Sequence, residues 1–524
     1  TTIWPSFFSK AFFFQEDAEA GRYWLATEKG SVLYDTRRKI YLHSRNNPDS
    51  LPCFKSKDFS EYYQFVYLDK NKILWTWSGH PVKGGLVFRY DITNKEFISV
   101  KKNEFAPVKY YSYAEPIKFI TDQTGTTWAY GTQLWRYDSR LKEFIEVPRQ
   151  QNNPYGIFFN WIYNMYEDTD GIIWVMSGLG LYNFNPRLQN FTTLNGVWSY
   201  GQKKITNAET NGYLQTTDGH ILSIGWSHDG IIFCDSTFKQ VKPIYGFNPA
   251  DKKYNQADWN KCWTAFQDSK GIVWIGCQYG GIIQINPVTR QTITLNLPEF
   301  EKHTIRSITE DSEGNVWFGT NHSTVVKWMR STNKFKQIIS LPALKEDFGM
   351  MLAFVKGNNR DCFIPTSNSG LLHIDMVSGK IIEQFQHDEN NFQSISNNLV
   401  TSIIPLNKDT LAIATGSGID LYSIDKKTFS QIAEKDQLPG SGIINMQADD
   451  NRNLWFTTVD GIAKIHLPDK RIHKYGAQNG VTESSFQTNA GIKLKDGRII
   501  FGTTPGMVYF NPADINETKV PDDV

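Results

Sequence analysis

Short apolar segments alternate with polar turns along the whole chain, in a unit that recurs. The unit begins with an acidic turn, passes a Gly or Asn into an apolar strand with a central Trp, and crosses a turn of small residues into a further strand that ends near Asp or Asn-Pro. Asx side chains bond nearby backbone and Gly accepts positive φ, so each acidic segment predicts a tight turn between strands. The clearest copies occupy residues 167–186, 267–287, 310–320 and 449–458.

The spacing of the units predicts an all-β fold built from β-propeller repeats. Successive centres lie 43 to 53 residues apart, about the length of one four-stranded propeller blade. We interpret each central Trp as a packing residue between blades. The eleven centres are Trp24, Trp75, Trp128, Trp174, Leu222, Trp274, Trp317, Phe363, Leu411, Trp455 and Ile500.

Counting seven units back from the last one predicts the domain organisation. A seven-bladed propeller would span 195–511, preceded by about four blades at 1–194 and followed by a polar tail at 512–524. Residues 190–194 would form the outer strand of the blade centred on Trp174. Because four blades do not commonly close and open sheets expose apolar faces, we expect about three N-terminal blades to be missing, or a partner to cover those faces.

Composition and net charge argue against some classes of binding partner. Of the 524 residues, 40% are hydrophobic and 14% aromatic, and the formal net charge is +1. A hydrophobic core is therefore available, and neither nucleic acid nor an anionic membrane surface is indicated. No apolar run approaches the roughly 20 residues of a membrane helix, and no leader segment is recognised, so we expect membrane attachment only through segments outside this chain.

Metal and catalytic signatures are not found in the sequence. The ten His have no metal-ligand spacing, the five Cys lack a CxxC motif, and no nucleophile elbow or phosphate-binding loop occurs. We therefore expect no catalytic residues, metal or cofactor. Cys262 and Cys277 lie on neighbouring predicted strands, and the sequence leaves open whether they pair.

The units resemble the two-component regulator propeller repeats in the periplasmic region of Bacteroidetes sensor histidine kinases and hybrid two-component systems. Residues 16–35, 267–276 and 310–320 follow that pattern closely, and 475–512 is similar to the family's final blade. The units centred on Leu222, Phe363 and Leu411 depart from it, because they lack the Trp.

The resemblance implies the periplasmic sensory region of an inner-membrane kinase. Such a region binds a nutrient, commonly an oligosaccharide, and signals across the membrane, with a homodimer expected in the full-length receptor. The chain itself contains no kinase module, so we expect no enzymatic activity from it.

A ligand site would lie on loops gathered at one end of a propeller channel, since loops on a rigid scaffold usually carry function. Aromatic platforms beside polar or cationic groups suit sugars, and Arg or Lys would also hold a uronate or sulfate. The alternative is that these aromatics pack the loops or a contact between propellers. The candidates are Trp161, Trp226, His228, Trp259, Lys261 and Arg306.

Two other functions remain open at this stage. A secreted propeller glycoside hydrolase or lyase would turn over a polysaccharide, and a protein-interaction scaffold would bind protein and ignore small glycans. The regular repeat spacing favours the sensor, because catalytic loops usually interrupt a repeat.

Overall fold

A computed structural model of the chain divides into two compact units, unit 1 up to Leu188 and unit 2 from Gln189 onward. The structure describes residues 10–60, 64–80, 84–100, 117–139, 142–147, 157–188, 190–195, 197–198, 204–205, 209–226, 231–236, 238, 261–289, 291–322, 324–340, 354–356, 360–440, 442–476, 479–481, 485–504 and 506–515.

The fold is all-β, as predicted, and consists of small antiparallel sheets whose strands follow one another in chain order, except in the sheet that contains β16. Each of the eleven repeat centres lies on the second strand of a separate sheet. In the described part of the chain, helical structure is limited to α1 (Lys57–Ser60) and to single 3-10 turns at Pro52–Lys55, Pro186–Leu188, Gln278–Gly280, Pro298–Phe300, Lys435–Gln437 and Pro512–Asp514.

Unit 1 contains four sheets among its described residues, three with four strands and the last with three. The strands are β1 (Ala11–Asp17), β2 (Arg22–Thr27), β3 (Gly30–Asp35) and β4 (Ile40–Leu42); β5 (Gln64–Leu68), β6 (Ile73–His80), β7 (Gly84–Asp91) and β8 (Glu96–Val100); β9 (Lys118–Thr121), β10 (Thr127–Tyr130), β11 (Leu134–Asp138) and β12 (Glu143–Glu146); and β13 (Ile162–Glu167), β14 (Ile173–Ser177) and β15 (Gly180–Phe184).

Unit 2 contains seven larger sheets in its described residues, besides a two-stranded sheet of β17 (Val197–Trp198) and β18 (Lys204–Ile205). The first four are β19 (Glu209–Gln215), β20 (Ile221–Trp226) and β21 (Ile231–Cys234); β22 (Cys262–Gln267), β23 (Val273–Cys277), β24 (Gly281–Asn286) and β25 (Gln291–Asn296); β26 (Ile305–Glu310), β27 (Val316–Thr320), β28 (Thr324–Met329) and β29 (Lys334–Ser340); and β30 (Val355–Lys356), β31 (Asp361–Pro365), β32 (Leu371–Asp375) and β33 (Ile381–Phe385).

The last three sheets of unit 2 have four strands each. They are β34 (Val400–Pro405), β35 (Thr410–Thr415), β36 (Gly418–Ser423) and β37 (Thr428–Glu434); β38 (Asn445–Ala448), β39 (Asn453–Thr458), β40 (Gly461–His466) and β41 (Ile472–Tyr475); and β42 (Phe486–Lys493), β43 (Ile499–Thr503) and β44 (Gly506–Phe510) together with β16 (Thr192–Asn195).

The seven sheets of unit 2 form a closed ring, because a buried apolar cluster joins each sheet to the next. A further cluster joins the seventh sheet to the first and includes Ile221, Ile500 and Met507. The first strands lie side by side in six of the seven neighbouring pairs of sheets around this ring, so they are its innermost strands. Burial between sheets rather than within one sheet therefore holds the ring together.

Strand β16 corrects one expectation. Residues 190–194 were predicted to complete the sheet centred on Trp174, but β16 pairs with β44, with Thr193 opposite Val508. Phe191, just before it, is buried against Trp455 and Phe510. The strand thus closes the last sheet of unit 2, because alternation of apolar and polar residues shows that a strand exists but does not name its partner.

The two end sheets of unit 1 expose apolar side chains. Phe14 on β1 is 65% exposed, and Tyr166 and Leu181 on the last sheet are 62% and 64% exposed. Buried clusters join the first sheet to the second, the second to the third and the third to the fourth. In the described residues no cluster joins the fourth sheet to the first, so these two faces are unpaired.

A carboxylate–indole contact repeats in six sheets and explains the central Trp. The indole Nε1 donates to an Asp six residues earlier at 2.7–3.2 Å, in the pairs Trp75–Asp69, Trp128–Asp122, Trp174–Asp168, Trp274–Asp268, Trp317–Asp311 and Trp455–Asp449. In each pair the other carboxylate oxygen accepts two backbone N–H groups of the turn. For Asp122 one of these two bonds is replaced by the hydroxyl of Thr124. One Asp therefore caps the turn and anchors the Trp.

A Gly two residues after some repeat centres lets the next inner strand approach. A Cβ on Gly276 would lie 2.6 Å from Ile305 Cγ2, and one on Gly502 would lie 3.0 Å from the Thr210 carbonyl oxygen. Neither position leaves room for a side chain without movement of the neighbouring sheet.

All five cysteines are buried thiols in the structure. Cys262 and Cys277 are directly opposed on β22 and β23, with their Sγ atoms 3.8 Å apart. Among the described residues, helices are too short to cross a bilayer.

Candidate functional site

A bulge near the start of the inner strand recurs in consecutive sheets of unit 2. The extra residue is Asn211 in β19, Trp263 in β22 and Arg306 in β26. A bulge re-aims a side chain and is common beside functional sites. Because these inner strands are neighbours, the three bulged residues lie at the same end of the ring, where each inner strand begins.

Four side chains pack there into one row, which we call the Trp–Arg cluster: Lys261, Trp226, Trp263 and Arg306. The Arg306 guanidinium lies 3.4 Å from the centre of the Trp263 ring. Trp263 meets Trp226 edge to face, with ring centres 5.3 Å apart. Lys261 Nζ lies 5.7 Å from the Trp226 ring. The row therefore consists of two aromatic rings with a cation at each end.

The backbone fixes this row on rigid elements. Trp226 ends β20 and forms a bridge with Lys261, which directly precedes β22. The amide of Gln278 donates to the Lys261 carbonyl at 3.0 Å, so the turn after β23 also holds this segment. Trp226 keeps 37% of its surface exposed, so part of its indole is open to solvent.

Three buried polar atoms at the cluster lack a hydrogen-bond partner among the described residues. They are Trp263 Nε1, Arg306 Nε and Gln278 Oε1. Buried polar groups are normally paired, and an unpaired one costs about 1–3 kcal/mol. Trp263 and Arg306 thus each keep a buried donor without an acceptor among the described residues, and Gln278, whose amide bonds Lys261, keeps a buried acceptor without a donor there.

The electrostatics of the cluster are positive. Burial lowers the pKa of Arg306 to about 10, which still leaves it protonated at neutral pH. Neither Arg306 nor Lys261 forms an ion pair within the described residues. By contrast, Arg330 in the same sheet as Arg306 binds Asp268 at 2.8 Å and Glu310 at 3.2 Å.

The structure brings together three of the six residues predicted from the sequence, Trp226, Lys261 and Arg306. Trp161 lies just before β13 in unit 1 and belongs to a different unit. His228 and Trp259 fall outside the described residues. Whether any of these residues binds a ligand stays a prediction.

Trp263 and Gln278 were not among the predicted residues. Trp263 precedes Asp268 by five residues, and Arg306 precedes Asp311 by the same number. Aligning the repeats on the turn Asp would have placed both side chains in one column. No sequence signal distinguishes Gln278, whose position depends on the turn after β23.

The cluster can offer aromatic faces and hydrogen bonds but has no metal-ligand set. In the part of the chain that the structure describes, no three His, Cys, Asp or Glu side chains gather as metal ligands would. The groups that the cluster presents are therefore aromatic rings and cations.

Comparison with known proteins identifies the repeat. The family model described as "Two component regulator propeller" matches residues 300–322. A histidine kinase, P4, from Formosa agariphila is 20% identical over 341 residues, which cover 61% of this chain and 24% of that protein. The matched region thus spans about a quarter of the relative's length.

Solved structures of similar shape include two kinds of protein. The extracellular domain of a proposed hybrid two-component system from B. thetaiotaomicron is 13% identical, with a TM-score of 0.49 over 96% of this chain and 70% of that chain. Virginiamycin B lyase from Staphylococcus aureus is 16% identical, with a TM-score of 0.45 over 61% of this chain and 97% of that chain. The sheets described above identify the chain as a β-propeller protein, and its residues 300–322 match the two-component regulator propeller repeat.

Proposed function

We propose that this chain is the sensory region of a two-component sensor kinase and binds an oligosaccharide at the Trp–Arg cluster. The observation that carries the proposal is the row of two tryptophans between two cations, with buried donors that have no partner among the described residues. The matched repeat and the kinase relative support the sensory part.

Sugars suit this surface for a physical reason. A pyranose ring presents apolar C–H groups that pack on an aromatic face, while its hydroxyls need donors and acceptors at the rim. Trp226 supplies the exposed face. Trp263 Nε1 and Gln278 Oε1 would supply a donor and an acceptor, since both are buried without a partner among the described residues.

The remaining parts of the receptor follow from the proposal. The region would work on the extracytoplasmic side, in the periplasm, and the full-length receptor would be a homodimer. Ligand binding would alter how the propellers sit in the dimer and so control a kinase module encoded outside this chain.

The first test is a melting-temperature screen of the chain against neutral and acidic oligosaccharides, with chromatography of every mixture after incubation. A ligand that binds only the folded state raises the melting temperature. Stabilisation without cleavage supports the sensor. Cleavage products would instead indicate a hydrolase or lyase, and the absence of any shift would favour a protein-interaction scaffold.

Substitution then locates the site. Trp226→Ala should weaken a hit by about tenfold or more, since a stacked ring is worth on the order of 1–3 kcal/mol in binding. Phe392→Ala is the matched control, because Phe392 is 98% exposed and lies outside the cluster. Equal affinity of the two variants, measured by calorimetry, would place the site elsewhere.

A further inference from the structure

Two cations of the Trp–Arg cluster have no acidic partner in the described residues. The nearest acidic side chain by register is Glu209, which lies opposite Trp226 on β19. No ion pair connects it to Lys261 or Arg306 in the part of the chain that is described. The cluster therefore carries uncompensated positive charge beside its aromatic rings.

Some partly buried arginines elsewhere in the described residues are paired with carboxylates. Arg330 binds two carboxylates, and Arg22 binds Asp35 at 3.2 Å. Arg306 instead contacts an indole ring, and its buried Nε lacks an acceptor among the described residues.

Stacking on Trp263 covers one face of the guanidinium and leaves its edges for hydrogen bonding. A guanidinium edge matches the two oxygens of a carboxylate, and such two-point contacts are stronger than neutral hydrogen bonds. A buried charge is costly unless paired, so an anion at this position would gain more than a neutral hydroxyl. The second cation, Lys261, adds attraction from the other end of the row.

We infer that the ligand of the Trp–Arg cluster is an acidic oligosaccharide, with a sugar ring on Trp226 and a uronate carboxylate on Arg306. This inference rests on the proposed function and narrows it to one class of sugar. A sulfate ester offers the same negative charge with tetrahedral rather than planar geometry, and the experiment below separates the two.

The test uses two matched pairs of ligands, each with one sugar backbone in a charged and an uncharged form. Oligogalacturonides are titrated into the chain as free acids and as full methyl esters, and a sulfated galactan oligosaccharide is titrated beside its desulfated form. We expect the free acid to bind at least about tenfold more tightly than its ester, with affinity falling as salt rises.

Every other outcome contradicts a stated part of the inference or of the proposed function. Preference for the sulfated sugar alone would overturn the carboxylate assignment. Equal binding of acid and ester, or binding of neutral glycans only, would overturn the inference and leave the proposed function standing. Binding of no glycan at all would contradict both this inference and the proposed function.

Variants assign the charge preference to one side chain. Arg306→Gln should abolish the difference between acid and ester, whereas Arg306→Lys should keep the salt dependence and lose affinity. Lys270→Gln is the matched control, because Lys270 is exposed in the turn at the other end of β22 and should bind as the parent does. Melting curves of all variants establish that they are folded. If a folded Arg306→Gln protein still binds the free acid more tightly than the ester, Arg306 does not bind the carboxylate.

Discussion

At the scale of single residues, one Asp per repeat makes several bonds at once. Asp449 accepts from the backbone amides of Asn451 and Asn453 and from the side chains of Asn453 and Trp455, all at 2.8–2.9 Å. The neighbouring Asp450 has a side chain 85% exposed and contacts only Lys493 in the described residues. Two adjacent acids thus have very different surroundings.

We predict that Asp449→Ala lowers the free energy of unfolding by about 2–4 kcal/mol, because buried donors lose their acceptor. Asp450→Ala should change it by less than about 1 kcal/mol, as expected for an exposed ion pair. Urea unfolding followed by Trp fluorescence measures both. Similar losses in the two variants would contradict the role given to the repeated Asp.

The carboxyl group of Asp420 is buried in β36. We expect it to give the stability of the fold a pH dependence opposite in sign to that of most acidic residues. Burial raises the pKa of Asp420, although the Ser396 amide donates to its Oδ2 at 2.8 Å. Its Oδ1 is buried without a partner in the described part of the chain. The folded state thus binds the proton more tightly than the unfolded state.

The sign follows from linkage. The stability that protonated Asp420 contributes is fully present below the pKa of the unfolded state, ~3.9, and is lost as pH rises through the higher pKa of the folded state. Asp420→Asn should remove this loss and raise the melting temperature at pH 7 by about 2 °C or more, with little change near pH 3. Melting curves across pH 3–7 measure the difference, and a lower melting temperature at pH 7 would show that the charge is stabilised.

Much of the residue pattern was predictable from the sequence, and physical reasons explain why some contacts were not. The turn Asp and the Trp were visible because the same turn and the same packing recur in six sheets. The contact between them was missed, since hydrogen bonding across a hairpin depends on its register. Trp226, Lys261 and Arg306 were found from aromatic and basic character, but their arrangement depends on bulges in β22 and β26 that the sequence does not mark.

At the scale of elements, β16 and β44 are the strands that connect the two ends of unit 2. They come from opposite ends of that unit's sequence and pair with Leu194 opposite Met507. All other neighbouring strands in the ring's sheets are joined by one connection along the chain. The β16–β44 pairing therefore decides whether the last sheet is complete.

We predict that a disulfide between these strands stabilises unit 2. In Leu194→Cys/Met507→Cys, directly opposed residues have Cα atoms about 4.5–5.5 Å apart, within disulfide range. A bond that closes a loop of roughly 300 residues should add about 3–5 kcal/mol. The melting temperature should be higher without reductant than with it, and single variants should show no such difference. No difference in the oxidised double variant would indicate that the strands do not pair.

At the scale of the whole molecule, the end faces of unit 1 carry apolar side chains that a neighbouring sheet would normally cover. Phe14 lies on the first sheet, and Tyr166 and Leu181 lie on the last. We predict concentration-dependent self-association of the purified chain, since exposed apolar patches promote contact.

Phe14→Ser with Leu181→Ser should reduce this association at least about twofold in light scattering, while Phe392→Ser, another exposed aromatic, should leave it unchanged. A parent chain that stays monomeric at all concentrations would show that these faces need no cover.

The pairing of β16 with β44 also sets the order of events during synthesis. Residues 192–195 leave the ribosome long before 506–510, and at about 5–20 residues per second the delay is on the order of 15–60 s. Throughout that interval the early strand has no partner, and its unpaired edge is open to wrong contacts. Blades in between can pack pair by pair, but the ring becomes whole only when the last strand emerges, so translation speed and chaperone access would govern the yield of this protein.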